Sequence, residues 1–173
     1  MTQTITMPSS QEAEDGVLGA IIEHPNIIDE VSAYLSNNIF YYERSRRLYS
    51  IIMEMYKNGE ELDHVTICGR LSENDKTRGI TAYYISELIT DVATENMAKR
   101  YAIQVYEKHL LREVILQTSG ISESAYKNNQ DVYNILDDAH FTIGQLINIR
   151  PGLTFNIEAV SYTHLTLPTI CSV

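Results

Sequence analysis

The sequence predicts an all-α protein, a compact helical head followed by a long antiparallel helical hairpin. Three observations predict it. Residues 1–95 hold apolar blocks that repeat at the 3.6-residue helical period, separated by capping residues and breaks. Residues 96–126 then run without proline and with Gly120 as their one glycine. After a polar turn, Val132, Ile135, Leu136, Ala139, Ile143, Leu146 and Ile147 form one clean apolar stripe at helical spacing.

Each element follows in order. Residues 2–8 are polar and aperiodic and read as a loose arm. The first helix is expected to start at Ser9, whose hydroxyl can cap it while Glu12 reaches back as in a capping box. Its residues Val17, Leu18, Ile21 and Ile22 share one face, which should be buried. Pro25-Asn26 restarts the chain into a second helix through Ile27, Ile28, Val31 and Leu35, which Asn37-Asn38 breaks. A third helix from about Glu43 carries Leu48, Ile51, Ile52, Met55 and Tyr56 on one side and stops at Asn58-Gly59, where glycine takes the left-handed cap conformation. Asp63 should cap a short helix holding Val65, Ile67 and Leu71, and residues 72–79 read as an exposed loop. Another helix runs from Thr81 through Tyr84, Ile85 and Leu88.

From Asn96 the pattern changes. Tyr101, Ile103, Val105, Leu110, Leu111, Val114, Ile115 and Ile121 wrap more than one face, so that helix must be covered on two sides. Residues 127–130 make a turn, and Asp131 can cap the return helix. The hairpin has more apolar surface than its two helices need for each other, and a second chain is the simplest cover. The expected self-association surface is Val132, Leu136, Ala139, Ile143 and Leu146 with Leu110 and Val114. The organisation is therefore a head at 1–95, a dimerising hairpin at 96–149, the start of a linker at 150–159 and a tail at 160–173.

That tail is expected to be artefactual. Residues 160–165, Val-Ser-Tyr-Thr-His-Leu, translate one frame of the mosaic-end adaptor used in transposase-made sequencing libraries, and the leading CT of that adaptor completes the codon of Ala159.

Composition narrows the function classes. At 173 residues with 44% apolar content the chain can bury a sizeable core in one or two units. No segment approaches the ~18 uninterrupted apolar residues of a membrane helix, and no export signal opens the chain, so a cytoplasmic protein is expected. Cys68 and Cys171 make neither a disulfide framework nor a CxxC pair. The net charge of −10 is uneven: residues 1–95 hold 7 Lys/Arg against 16 Asp/Glu, and residues 96–173 hold 6 against 7. An acidic front opposes binding to phosphates, so a direct grip on DNA is not expected of this part.

Ala13-Glu14 before Val17-Leu18-Gly19, Phe40-Tyr41, Asp63-x-Val65-Thr66, Tyr84-Ile85-x-x-Leu88 and Arg112-Glu113-x-Ile115 stand in the order and spacing of one family. Over residues 8–158 the chain resembles the N-terminal domain of DnaB-type replicative DNA helicases. One departure is Ser45, where members of that family often have histidine. The resemblance implies an all-α head and hairpin that form a collar above a hexameric motor, with hairpins from neighbouring subunits paired. It also implies docking of primase and, in some systems, of a helicase loader. ATP and magnesium belong to the missing ATPase domain. No G-x-x-x-x-G-K-[ST] occurs among the eight glycines, so this fragment has no phosphate loop and no catalytic role is assigned to it.

Two other classes remain open from the sequence. Glu61-x-x-His64 with Asp137-x-x-His140 could supply the carboxylate and histidine ligands of a metal-carboxylate helical-bundle enzyme, but Glu61 lies in a turn and further inward glutamates are lacking. His64 and Cys68, four apart, could present two metal ligands, though structural zinc needs four. The third class is a free-standing helicase-binding domain of a primase or loader. Tyr41-Tyr42 beside Arg44, Arg46 and Arg47 could stack bases, yet the surrounding acidity favours a structural role.

Overall fold

The computed structural model describes residues 6–90, 94–127 and 131–148. The linker at 150–159, the tail at 160–173 and the 128–130 turn lie outside the described residues. All the described elements with regular structure are helical.

Helix α1 (Gln11–Glu23) is the axis of the head. Ser10, one residue later than expected, caps it by accepting from the Ala13 amide at 3.3 Å, and Glu12 is exposed instead of closing a capping box. More than one face is buried: Ala13, Glu14 and the whole run from Val17 to Ile22 are covered, because three other helices of the chain pack around it. Gly19 makes that possible. A methyl group there would lie 2.1 Å from the Leu88 carbonyl oxygen, so the two backbones touch where any side chain would separate them.

The second expected helix is shorter than its apolar residues suggest. A 3-10 turn (Pro25–Ile27) runs into a single turn of α2 (Ile28–Val31), and Leu35, Ile39 and Phe40 then drop into the core from irregular backbone. Helix α3 (Glu43–Lys57) buries Leu48, Ile51, Ile52 and Met55 as expected. Tyr56 turns outward and donates to Asp29 at 2.9 Å. Gly59 ends the helix with φ +70, the left-handed conformation that glycine adopts without strain.

Asp63 caps α4 (His64–Arg70), taking the amides of Val65 and Thr66 at 2.7 and 3.0 Å. Ile67 is buried but Val65 is 76% exposed, since a helix of seven residues offers the core only one narrow face. Residues 72–79 are not simply an exposed loop. They contain α5 (Glu73–Thr77), fixed by a capping box in which Asp75 replaces the usual Glu or Gln. Helix α6 (Ala82–Thr90) places Tyr84, Ile85 and Leu88 against α1 and α4.

Helix α7 (Glu95–Lys127) explains why its apolar residues wrap around it. Its first half is part of the head: Ala98, Ala102, Val105 and Tyr106 are buried along α1, and the two alanines allow a close approach. Its second half leaves the head and packs on α8 (Val132–Asn148), capped by Asp131 on the Tyr133 amide at 2.8 Å. Leu110 lies at the change-over and packs on the head core.

Candidate interaction surfaces

Residues at the start of α7's free half fix how the hairpin leaves the head. Arg112, only 8% exposed, donates to the Pro8 carbonyl at 2.8 Å and to the Ile39 carbonyl, and its guanidinium lies 5.4 Å from the centre of the Tyr41 ring. Across the same segment Glu14, 1% exposed, accepts the amides of Tyr41 and Tyr42 at 2.7 and 3.2 Å. These amides open α3, where an anion meets the positive end of the helix dipole. Burial raises the Glu14 pKa, opposed by the Tyr41 amide, Ser45, the Tyr42 amide and the charge of Arg112. Burial lowers that of Arg112, opposed chiefly by Glu14. Ser45 Oγ is enclosed beside this carboxylate and the Tyr84 hydroxyl without hydrogen-bond geometry to either.

Beyond Arg112 the hairpin presents a surplus of apolar surface. Between its helices lies a small cavity lined by Gln117, Gly120, Ile121 and Ser124 of α7 and by Ile135, Asp138 and Thr142 of α8. The larger apolar groups point away. Val132 and Leu136 are each 59% exposed, Val114 41% and Ile143 38%. At about 100° per residue, Val132, Leu136 and Ile143 fall within about 40° of one another on α8. Ala139 and Leu146 are half-buried on the edge nearest the seam. Leu111 extends the exposed apolar area beside Val114 on α7, while Leu116 of α7 and Phe141 and Tyr133 of α8 are exposed on other faces. Soluble monomers seldom leave a stripe such as that of Val132, Leu136 and Ile143 uncovered.

A second concave surface lies on the head between α1, α3, α6 and α7, a cleft of about 720 Å3. Asp15 is its hub, accepting from the Tyr84 hydroxyl at 2.6 Å, Arg44 at 3.2 Å and Gln11 at 3.3 Å, while the Arg44 guanidinium stands 4.5 Å from the Tyr84 ring centre. Burial and then Asp15 push the Tyr84 hydroxyl far above its ordinary pKa. Glu12 and Glu87 line the cleft with Asp15, against Arg44 alone, and Tyr101 and Met97 supply its apolar wall. An acidic cleft with aromatic faces is suited to a cationic side chain.

The other sequence candidates are dispersed. His64 Nε2 shares a hydrogen bond with Ser86 Oγ at 3.0 Å and lies 3.8 Å from Cys68 Sγ, whose pKa burial raises, away from the thiolate that metals bind. Among the described residues, no three His, Cys, Asp or Glu side chains come together as a metal site. The arginines beside Tyr41-Tyr42 are held elsewhere: Arg44 on Asp15, Arg46 on the Phe40 carbonyl at 3.0 Å and Arg47 on Asp75. No helix of the described residues is long and apolar enough to cross a membrane.

Sequence reasoning did not assign roles to Glu14, Asp15 or Arg112. A usable signal was present for Arg112, a charged residue in the apolar run around Leu110, Leu111, Val114 and Ile115, where burial demands partners, whereas Glu14 stands between Glu12 and Asp15 in a polar stretch that gave none.

Comparison with known proteins adds three findings. The model of the DnaB-like helicase N-terminal domain matches residues 6–107. Among curated proteins the chain is similar to the replicative DNA helicase DnaC of Bacillus subtilis, 30% identical over 157 residues, covering 88% of this chain and 34% of that one. It is similar also to the replicative DNA helicase DnaB of Geobacillus stearothermophilus, 30% identical over 133 residues, covering 76% of this chain and 29% of that one. It thus spans about a third of the length of the relatives it matches. Among solved structures, the N-terminal domain of DnaB helicase from Mycobacterium tuberculosis superposes with a TM-score of 0.72 at 28% identity, covering 80% of this chain and 99% of that one. A DnaB-like replicative helicase, whose structure was described with its interactions with primase, shares the fold at a TM-score of 0.63 and 22% identity, covering 83% of this chain and 36% of that one.

Proposed function

The chain belongs to the DnaB-like helicase N-terminal domain family, and from that premise we propose that it is the self-associating and partner-docking part of a hexameric replicative DNA helicase. Its own contribution is mechanical and adhesive. In this reading Val132, Leu136, Ala139, Ile143 and Leu146 pair with the same face of a second copy, aided by Val114 and by Leu111. Leu110 supports the hairpin's root from the head core and lies outside the paired surface. ATP hydrolysis and unwinding belong to an ATPase domain on the same parent, whose ATP and magnesium this chain does not bind.

The observation that carries the proposal is the exposure of large apolar side chains along one face of the hairpin, Val132, Leu136 and Ile143 with Val114. Covering a Leu or Ile side chain contributes about 1.5–3 kcal/mol, so a few of them on each copy can hold a dimer. Such pairs placed around a ring would give the hexamer its collar. Primase is the proposed partner of the head, with the cleft at Asp15, Arg44 and Tyr84 as its candidate seat, and a helicase loader is a further one. The DnaB-like neighbour, whose structure was described with its interactions with primase, supports this reading by analogy.

Sedimentation of the chain tests the pairing. The expected result is a dimer or larger assembly that Leu136→Asp and Ile143→Asp return to a folded monomer. A monomer at tens of micromolar, unchanged by either substitution, would refute it. Primase docking is tested separately by titrating the primase's helicase-binding region against the chain, where Asp15→Ala should weaken binding without altering sedimentation.

A further inference from the structure

The positive charge of the acidic head is gathered unevenly. Of the 7 Lys/Arg in residues 1–95, three line one cavity of about 220 Å3 on the outer side of α3. Arg46, Arg47 and Arg78 form its walls with Asn37 and Ser50, and Glu43 is the one carboxylate lining it. This cavity is separate from the hairpin and from the Asp15 cleft.

The three guanidinium groups are held differently, and the differences matter. Arg47 is fixed as a fork: Nε and Nη2 donate to the two oxygens of Asp75 at 2.7 and 3.3 Å. Asp75 is buried and is itself held by the Ser72 amide and hydroxyl at 3.0 and 2.7 Å, so Arg47 cannot drift. Arg46 gives one N–H to the Phe40 carbonyl and makes no ion pair among the described residues, leaving its charge unmatched. Arg78 meets Glu43 at 3.0 Å, but both are more than half exposed, and such surface pairs contribute at most about 1 kcal/mol. Glu43 is therefore a competitor that can be displaced.

The ligand class follows from size, walls and field. The volume lies below the ~300 Å3 of pockets for drug-sized molecules. No aromatic ring lines it, so it offers a nucleobase no stacking surface. The surrounding acidic head repels an extended polyanion. A single carboxylate meets none of these objections, and guanidinium forks with neutral amide and hydroxyl donors match its geometry. We propose that this cavity docks a single aspartate or glutamate side chain presented by a partner protein, displacing Glu43 from Arg78. The same donors suit phosphate, so the test separates the two sources.

The probes are a short end-capped Gly/Ser peptide bearing one glutamate, its glutamine counterpart and inorganic phosphate at matched ionic strength. Binding is read from the arginine Nε–Hε resonances of the intact chain. The glutamate peptide should shift Arg46 and Arg78 saturably, the glutamine peptide should not, and phosphate should bind more weakly than the glutamate peptide. Arg46→Gln should weaken the glutamate peptide about fivefold, and Glu43→Gln should strengthen it about threefold, the sizes expected of exposed charge pairs. Absence of saturable shifts would overturn the proposal. So would equal binding of the glutamine peptide, tighter binding of phosphate, or an affinity unchanged in a folded Arg46→Gln variant.

Discussion

The close approach of α1 and α6 at Gly19 supports a quantitative prediction. A methyl group in Gly19→Ala would sit 2.1 Å from the Leu88 carbonyl oxygen and 2.9 Å from its carbon. The obstacle is backbone, so no rotamer change relieves it, and α6 must move by roughly 1 Å from α1 to restore van der Waals contact. That movement loosens Ile85 and Leu88, both buried against the same helix. Overpacking costs of about 1–3 kcal/mol, sometimes more, oppose a gain of about 1 kcal/mol from replacing a helical glycine with alanine. A net loss of up to about 2 kcal/mol follows, equivalent to a fall in Tm of up to about 4–8 °C for a chain of this size. Gly120→Ala is the control, because a methyl group there meets nothing within 4 Å and only the helix-propensity gain remains. Urea unfolding followed by circular dichroism reads both variants. The two should differ in sign, and a Gly19→Ala chain as stable as the parent would refute the claim that the helices touch through their backbones.

Three further outcomes are expected. Replacing Arg112 with leucine strands the Pro8 and Ile39 carbonyls and leaves Glu14 without its nearest compensating charge, so stability should fall by about 2–4 kcal/mol, with Arg112→Lys a poor rescue because one ammonium cannot span both carbonyls. Asp75 is held well below its ordinary pKa, first by Arg47. Its contribution is thus fully present above about pH 4 and is lost as pH falls below that, so the advantage of wild type over Asp75→Asn in unfolding experiments should narrow on acidification. Glu14 has the opposite sign. Its pKa is raised by burial, so the folded state binds the proton more tightly than the unfolded chain. Stability from this group falls as pH rises from about 4 through the raised value, and wild type should lose ground to Glu14→Gln over that window.

The helices were legible wherever a long stripe met a clear cap. Leu48, Ile51, Ile52 and Met55 marked α3, Asp63 marked α4, and the change of pattern at Asn96 marked α7, though its first half belongs to the head and not to the hairpin. Short elements were not, because one or two turns give too few repeats for a period to emerge; α5 was hidden in a polar run and betrayed itself only through Ser72 and Asp75. The single buried face assigned to α1 was too narrow for a different reason. Periodicity reports where large apolar residues lie, whereas Gly19 and Ala20 are buried by virtue of being small. The exposed stripe of Val132, Leu136 and Ile143 was visible as surplus, yet its separation from Leu110 required knowing where α7 leaves the head. Partners of Glu14 and Arg112 come from residues 27 to 104 positions away, a distance at which sequence spacing says nothing.

The unbroken course of α7 has a mechanical consequence. Its 33 residues make a rod about 50 Å long, rooted in the head by Ala98, Ala102 and Val105 and gripped at Arg112. About 22 Å of it projects beyond that grip. Gly120, the one glycine in the rod, stays helical, so the projecting part has no built-in pivot. A tilt of about 10° imposed at the root would swing the tip by about 4 Å. Anything that levers the head therefore reaches the far end of the hairpin as displacement with little lost to bending, and a head-bound ligand can re-aim a surface it never touches.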